Sequence, residues 1–167
     1  KIPLFPIIYE RYVNRCNKAG AMDFDDLLYQ MYILLYQNPD NVKEKYQRQF
    51  QYILVDEFQD TNYLQYAIVK QLIDFPGSPR NICIVGDDAQ SIYAFRGATI
   101  RNILDFEKDY PDYQIFMLEQ NHRSTHHIVS AANQVISNNK NQIEKTLWTE
   151  ENSGGKIRLM KAVSDIE

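Results

Sequence analysis

Long apolar segments, excess positive charge and cysteine are all scarce in this 167-residue sequence. No hydrophobic run approaches the roughly 20 residues that a transmembrane helix needs, which excludes such a helix. The net charge of −4 gives no global basic field of the kind that attracts nucleic acids, although a local basic or aromatic groove is compatible with it. The chain starts at Lys1 with neither an initiator Met nor a signal-peptide pattern, so we interpret it as a piece of a longer protein.

The cysteine content indicates a reducing compartment. Cys16 falls in an apolar helix pattern and Cys83 in a strand pattern. We expect free thiols in a cytoplasmic protein, with a disulfide as the open alternative. Hydrophobic residues at 44% and charged residues at 24% are ordinary for a globular domain.

Helical and strand patterns alternate along the chain, which predicts an α/β fold class. The first of these patterns is a helical N-terminal segment, and a strand, a helix and a second strand then predict a parallel βαβ unit with a right-handed crossover. The predicted helices cover residues 4–19, 23–37, 40–49, 62–74, 100–110 and 125–138, and the predicted strands cover 52–56, 81–86, 114–118 and 156–162.

Two adjacent carboxylates follow the first predicted strand. Ile53, Leu54 and Val55 lead directly into Asp56 and Glu57, and this short apolar run predicts a strand buried on both faces. Ligands bind at the carboxyl edge of such sheets, where Asp56 could hold Mg²⁺. On an extended backbone Glu57 would point the other way and could orient an attacking water. A plain polar loop is the alternative interpretation.

A second polar stretch, Val85–Ala98, follows the second predicted strand. Gln90 is placed to contact a phosphate group. Tyr93 and Phe95, beside Arg96, could stack on unpaired bases. Such stacking contributes about 1–3 kcal/mol of binding free energy per base. The alternative is that both rings are core residues beneath a short helix.

A third stretch, Leu118–Thr125, runs from a predicted strand into a predicted helix. Arg123 stands just before the expected helix cap at Ser124 or Thr125 and could bind a phosphate through two hydrogen bonds. The alternative is a structural arginine paired with a carboxylate.

In order and spacing, these stretches together resemble the superfamily 1 helicases of the UvrD/PcrA/Rep type. The resemblance is carried by residues 22–28 (MDFDDLL), 53–62 (ILVDEFQDTN), 85–98 and 118–124 (LEQNHRS). It implies a partial RecA-like (P-loop NTPase) parallel sheet with flanking helices. It also implies an enzyme that uses ATP and Mg²⁺ to move 3′ to 5′ on single-stranded DNA and to open duplexes at single-strand/double-strand junctions.

The resemblance also implies individual roles. Asp56 would bind Mg²⁺ through its water shell, and Glu57 would activate the water that attacks the γ-phosphate. Gln90 would contact that phosphate and Arg123 would offset its charge in the transition state. Tyr93 and Phe95 would contact DNA bases, with Arg96 supporting their loop.

Some family features differ or are missing. Phe95 stands where many relatives have Trp, His122 where Tyr is usual, and Ala89 where Asp is frequent. The glycine-rich phosphate loop with its Lys and Ser/Thr is absent from these residues. By resemblance, residues 1–20 would close an inserted helical subdomain, 21–118 would be the second half of the first motor domain, and 119–167 would begin the second. We therefore expect the isolated chain to be inactive.

Three other functions remain open at this point. The chain could come from an AddA/RecB-like helicase–nuclease subunit, or it could be a non-catalytic DNA-binding module. It could also be a two-metal nuclease, whose carboxylates would be Asp56, Glu57, Asp60, Asp87 and Asp88.

Overall fold

The computed structural model describes residues 4–140 and 142–161, with every side chain except that of Arg96. Its helices are α1 (Phe5–Ala19), α2 (Phe24–Gln37), α3 (Val42–Gln49), α4 (Tyr63–Ile73), α5 (Arg101–Leu104), α6 (Phe106–Asp109) and α7 (His126–Ile136). Its strands are β1 (Ile53–Val55) and β2 (Ile82–Ile84). Short 3₁₀ turns cover Pro39–Asn41, Phe58–Asp60, Asp88–Gln90 and Ala94–Arg96. This mixture of helices with a small sheet is consistent with the predicted α/β class.

The two strands pair in parallel, as predicted for the strand–helix–strand unit. Ile53 is in register with Ile82, and Val55 with Ile84. The prediction that β1 is buried on both faces is wrong, because Leu54 is 75% exposed while Ile53 and Val55 are half-buried. Side chains alternate between the faces of a strand, so only the face that carries Ile53 and Val55 is covered.

The predicted strand at 114–118 does not form, and neither does the described part of the one at 156–162. Residues 114–119 and 156–161 have no ladder partner, and residue 162 lies outside the described residues. The pairing nearest to 114–118 is an isolated parallel bridge between Gln120 and Trp148. A β-strand needs a neighbour for its backbone hydrogen bonds, and no described strand lies beside either segment.

Local capping explains where several helices begin and end. Asp23 and Asp26 form a reciprocal capping box at the start of α2, and Gly20 ends α1 with a left-handed φ of 60°. The Asp26 N–H and the Tyr12 hydroxyl donate to the Asp23 carboxylate, which lowers the pKa of Asp23. The predicted helix at 100–110 instead divides into α5 and α6 at Asp105.

The described residues form two compact units. The first contains residues up to Asp87 together with Ser91–Asn102, and the second contains Asp88–Gln90 together with residues from Ile103 onward. In the first unit α2 packs against α4, and α3 packs against both. Buried apolar side chains in this unit are Leu35, Phe58, Tyr66 and Ile73, and those in the second are Phe106, Tyr110 and Val129.

The apolar side chains of α7 are mostly exposed or half-buried. Val129 is buried, but Ile128 and Val135 are 50% and 72% exposed. Cys16 and Cys83 are both free thiols, so the disulfide alternative is excluded. Across the described residues, no helix combines the length and apolar character that crossing a bilayer would demand.

Candidate functional site

Asp56 and Glu57 lie where β1 leaves the two-stranded sheet. The Val85 N–H donates to the Val55 carbonyl at 2.8 Å, and the Phe58 N–H donates to the Val85 carbonyl at 3.0 Å. These bonds hold the chain after β1 against the end of β2. Asp56 and Glu57 are both exposed, whereas the next residue, Phe58, is fully buried. The predicted position at the carboxyl edge of the sheet is therefore confirmed.

The backbone of Glu57 differs from the prediction. Its φ of 49° and ψ of 42° are left-handed rather than extended, so the expectation that it simply alternates with Asp56 is wrong. The Glu57 N–H donates to Asp56 Oδ1 at 2.8 Å, which supports this conformation locally. Left-handed geometry in a residue with a Cβ costs about 1–3 kcal/mol and tends to occur at functional sites.

Gln59, a residue to which the sequence interpretation assigned no role, connects Glu57 to the segment that follows β2. Its side chain is 1% exposed. Gln59 Nε2 donates to Glu57 Oε2 at 2.8 Å, and Gln59 Oε1 accepts the Asp87 N–H at 3.0 Å. The orientation of the amide follows from these partners, because a carboxylate only accepts and an N–H only donates. The Glu57 carboxylate is thereby held by a buried side chain.

The turn that follows is held from a distance by Asn102, which is also buried. Asn102 Nδ2 donates to the carbonyl and to the hydroxyl oxygen of Thr61, both at 3.1 Å. The Thr61 hydroxyl in turn donates to the Phe58 carbonyl at 2.6 Å. Asp60 Oδ1 is buried and has no hydrogen-bond partner among the described residues. The loop carrying the two carboxylates is thus fixed by residues on either side of it.

Tyr93 and Phe95 lie on an exposed turn of the same unit. Phe95 is 78% exposed and Tyr93 is 39% exposed, so the alternative that both rings are core residues is wrong. Their ring centroids are 5.9 Å apart with the planes tilted by 39°. Gly97, with a φ of 84°, ends the turn. The side chain of Arg96, the third predicted DNA contact, lies outside the described side chains.

Gln90 and Arg123 belong to the second unit. Gln90 is the exposed last residue of the Asp88–Gln90 turn. Arg123 is also exposed, and no carboxylate of the described residues forms an ion pair with it, which argues against the structural ion-pair alternative.

The turn around Arg123 is built by Asn121 rather than by the predicted cap. Asn121 Oδ1 accepts the N–H groups of Arg123 and Ser124, at 2.9 and 2.7 Å. Thr125 occupies the N-cap position of α7 but makes no side-chain cap bond, and the first helical N–H, that of His126, donates to the Asn152 carbonyl instead.

The described residues contain no cluster of three or more His, Cys, Asp or Glu able to hold a metal ion. The five carboxylates of the nuclease alternative therefore do not assemble into a two-metal site. A hydrated Mg²⁺ requires less, because it keeps several waters and binds through one or two carboxylates. The exposed Asp56, with Oδ1 engaged by the Glu57 N–H, fits that type of binding.

A parallel strand pair that ends in two exposed, positioned carboxylates defines an α/β protein with a candidate site for metal-assisted phosphate chemistry. Comparison with known families gives the particular class. Residues 3–111 match the model for the UvrD/REP helicase N-terminal domain, and residues 116–167 match that for the UvrD-like helicase C-terminal domain. The chain belongs to the UvrD/REP helicase family.

Individual relatives agree with this assignment. The chain is 52% identical over 150 residues to the ATP-dependent DNA helicase PcrA of Bacillus subtilis, covering 90% of the chain and 20% of that protein. It is 49% identical over 151 residues to the ATP-dependent DNA helicase UvrD1 of Mycobacterium tuberculosis, covering 88% and 20%. It is 48% identical over 161 residues to DNA helicase II of Rickettsia typhi, covering 96% and 24%. The chain thus spans between a fifth and a quarter of the length of these relatives.

Proposed function

We propose that this chain is part of an ATP-dependent DNA helicase that moves 3′ to 5′ along single-stranded DNA. The observation that carries the proposal is the Asp56–Glu57 pair at the end of β1, held by Gln59, in a chain of the UvrD/REP family. The relatives named as ATP-dependent DNA helicases support it. The polarity and the preference for single-strand/double-strand junctions rest on the family resemblance.

The roles proposed for the site follow from the chemistry of its side chains. Bound Mg²⁺, held by Asp56 through water, would neutralise charge on the β- and γ-phosphate oxygens of ATP. Glu57 orients the attacking water and accepts its proton. Gln90 contacts the γ-phosphate, and Arg123 donates to it as negative charge develops. Both of these side chains are exposed.

We assign DNA contact to the turn that carries Tyr93 and Phe95. An exposed ring offers a stacking surface to any base, which suits a protein that must move along DNA without regard to sequence. Arg96, the next residue, would support this turn or contact the DNA backbone. Because Cys16 and Cys83 are free thiols, which suit a reducing compartment, we place the protein in the cytoplasm.

The proposed domain organisation explains how the chain fits into a longer protein. Residues 1–20 would end an inserted helical subdomain, 21–118 would complete the first RecA-like motor domain, and 119–167 would begin the second. The phosphate loop that cradles ATP would lie elsewhere in the full-length protein, since its sequence pattern is absent from this chain.

The decisive test is Glu57→Gln in the full-length protein that contains this chain. We expect ATP turnover to fall by about 10²- to 10⁴-fold, because the general base is removed. Affinity for ATP should stay within about twofold, since a neutral amide of the same shape preserves the site. Single-turnover hydrolysis and binding of a fluorescent ATP analogue measure the two quantities. Unchanged turnover in Glu57→Gln would refute the role of Glu57.

The isolated chain provides a second test. We expect it to show no ATPase activity above background, with or without single-stranded DNA and Mg²⁺, because it lacks the phosphate loop. The full-length protein is the control for assay conditions. Sustained hydrolysis by the purified chain would contradict this part of the proposal, whereas DNA binding without hydrolysis by the full-length protein would favour the non-catalytic alternative.

A further inference from the structure

Asp88 forms a buried ion pair that the proposed function does not use. Its Oδ1 lies 3.0 Å from Lys145 Nζ, and its Oδ2 accepts the Ile143 N–H at 2.8 Å. The Asp88 side chain is 2% exposed and that of Lys145 is 19% exposed. Both carboxylate oxygens of Asp88 therefore have partners in one short segment that follows α7.

A buried pair of this kind fixes geometry more than it adds stability. The desolvation of two charges offsets most of their attraction, but removal of one partner leaves the other charge buried and unpaired. Asp88 begins the three-residue turn that Gln90 ends. Contacts that hold Asp88 therefore help to position the turn that ends at Gln90.

The same segment is connected to the turn that carries Arg123. The Asn121 N–H donates to the Trp148 carbonyl at 2.7 Å, and the Trp148 N–H donates to the Glu119 carbonyl at 3.0 Å. Asn121 in turn shapes the backbone at Arg123 through its side-chain oxygen. Residues 143–148 thus contact Asp88, which begins the turn of Gln90, at one end. At the other end they contact Asn121, which shapes the turn of Arg123.

This arrangement also joins the two family domains. Asp88 lies in the stretch that matches the N-terminal domain, and Lys145 lies in the stretch that matches the C-terminal domain, 57 residues further along. Asn133 of α7 holds residues 143–148 through hydrogen bonds with both the carbonyl and the N–H of Leu147, at 2.7 and 3.3 Å.

We propose that residues 143–148 form a connecting strip that holds Gln90 and Arg123 in fixed positions, with Asp88 and Lys145 as positioning residues for Gln90. The inference rests on the proposed function, in which Gln90 and Arg123 contact the γ-phosphate. It adds that phosphate contact by Gln90 depends on a lysine of the C-terminal family domain. Loss of Lys145 should therefore impair turnover without removing any group that touches ATP.

The first measurement concerns the chain itself and needs no ATP. In Lys145→Met, amide hydrogen exchange in the peptide covering residues 86–92 should be about tenfold faster than in the wild type. Lys145→Arg, which keeps the charge, should restore protection. Lys140→Met, a change at an exposed lysine shortly before the strip, should have no effect.

A double variant keeps this test informative if the single change unfolds the second unit. Asp88→Asn with Lys145→Met leaves neither charge buried alone, so exchange should be slower than in Lys145→Met. The positioning role would be overturned if amide exchange were unchanged in a folded Lys145→Met. It would also be overturned if the effects of the two substitutions on exchange simply added.

The second measurement uses the full-length protein. Lys145→Met should lower kcat for DNA-stimulated ATP hydrolysis by about tenfold, with KM for ATP and affinity for oligo(dT) within about twofold. Lys145→Arg should retain most of the activity. Faster exchange with unchanged kcat would overturn the link to Gln90. A wild-type protein without ATPase activity would instead count against the proposed function, and the exchange data would still decide whether Lys145 positions the turn.

Discussion

At the residue scale, the most informative side chain of the candidate site is the buried Gln59. A buried amide is favourable only when its donors and acceptors are paired, and Gln59 achieves this with Glu57 on one side and the Asp87 N–H on the other. Glu57 is exposed and left-handed, so this contact restricts where its carboxylate lies. In the proposed function Asp56 and Glu57 supply the chemistry, and the contact with Gln59 restricts the position of Glu57.

Replacement of Gln59 should separate these contributions. Gln59→Glu keeps the volume and an acceptor for the Asp87 N–H, but it places a second carboxylate beside Glu57. We expect it to lower kcat for ATP hydrolysis by about tenfold or more with little change in KM, because Glu57 loses its hydrogen-bond donor and faces a like charge, while the proposed phosphate contacts are unchanged. Gln59→Ala should also lower the free energy of unfolding by about 1–3 kcal/mol, since the Asp87 N–H loses its partner.

Single-turnover kinetics and urea denaturation of the full-length protein measure these effects. The matched control is Gln51→Ala, at an exposed glutamine just before β1 in the same unit. If Gln59→Glu had wild-type kcat while Gln59→Ala was destabilised, Gln59 would be a structural residue without influence on Glu57.

Sequence reasoning found the residues whose chemistry is visible locally and missed those whose partners are distant. The carboxylates after β1 were recognisable from the apolar run that precedes them. Gln59 acquires its role from Asp87, which is 28 residues away, and Asp88 acquires its role from Lys145, which is 57 residues away. No periodicity encodes such contacts, because they depend on how the chain folds back on itself.

At the element scale, helices were predicted better than strands for a physical reason. A helix forms its backbone hydrogen bonds within one segment, so α1, α2 and α4 begin and end within two residues of the predicted bounds. A strand depends on a neighbour. β1 and β2 pair with each other, whereas residues 114–118 are just as apolar but have no described partner strand.

The start of α7 provides a prediction at this scale. A Cβ on Gly154 would lie 2.7–2.8 Å from side-chain atoms of Thr125, the N-cap residue, and Gly154 has a φ of 66°. Gly154→Ala should therefore destabilise α7 by about 1–3 kcal/mol, from both the collision and the left-handed backbone. Faster amide exchange in α7 would reveal this loss.

The neighbouring glycine is the control for that experiment. A Cβ on Gly155 meets no atom within 4 Å, and its φ is not left-handed. Gly155→Ala should change the stability of α7 by less than about 0.5 kcal/mol. Equal effects of the two substitutions would show that general glycine flexibility, rather than the contact with Thr125, determines the stability of this region.

At the scale of the whole molecule, the chain holds the two carboxylates proposed to act in hydrolysis and the exposed aromatic turn within one compact unit. Asp56 and Glu57 follow β1, while Tyr93 and Phe95 lie on the turn before Gly97. Bonds from Thr99 and Asn102 to Thr61 connect the two loops. This hydrogen-bonded connection offers a physical route from the proposed DNA contact to the proposed hydrolytic site, which makes the aromatic turn the most useful place to test coupling.

Phe95→Ala in the full-length protein should weaken binding to oligo(dT) by about 1–3 kcal/mol and reduce DNA stimulation of ATP hydrolysis, while basal hydrolysis stays within about twofold. Phe95→Trp should retain both properties, because it keeps a stacking surface, and Phe95→Leu should resemble Phe95→Ala because it keeps only apolar bulk. Fluorescence anisotropy and steady-state ATPase assays measure the two effects.

Tyr63→Ala is the control, since Tyr63 is an equally exposed ring of the same unit, at 78%, outside the turn. Wild-type DNA stimulation in Phe95→Leu would show that the aromatic face is not what the DNA contacts.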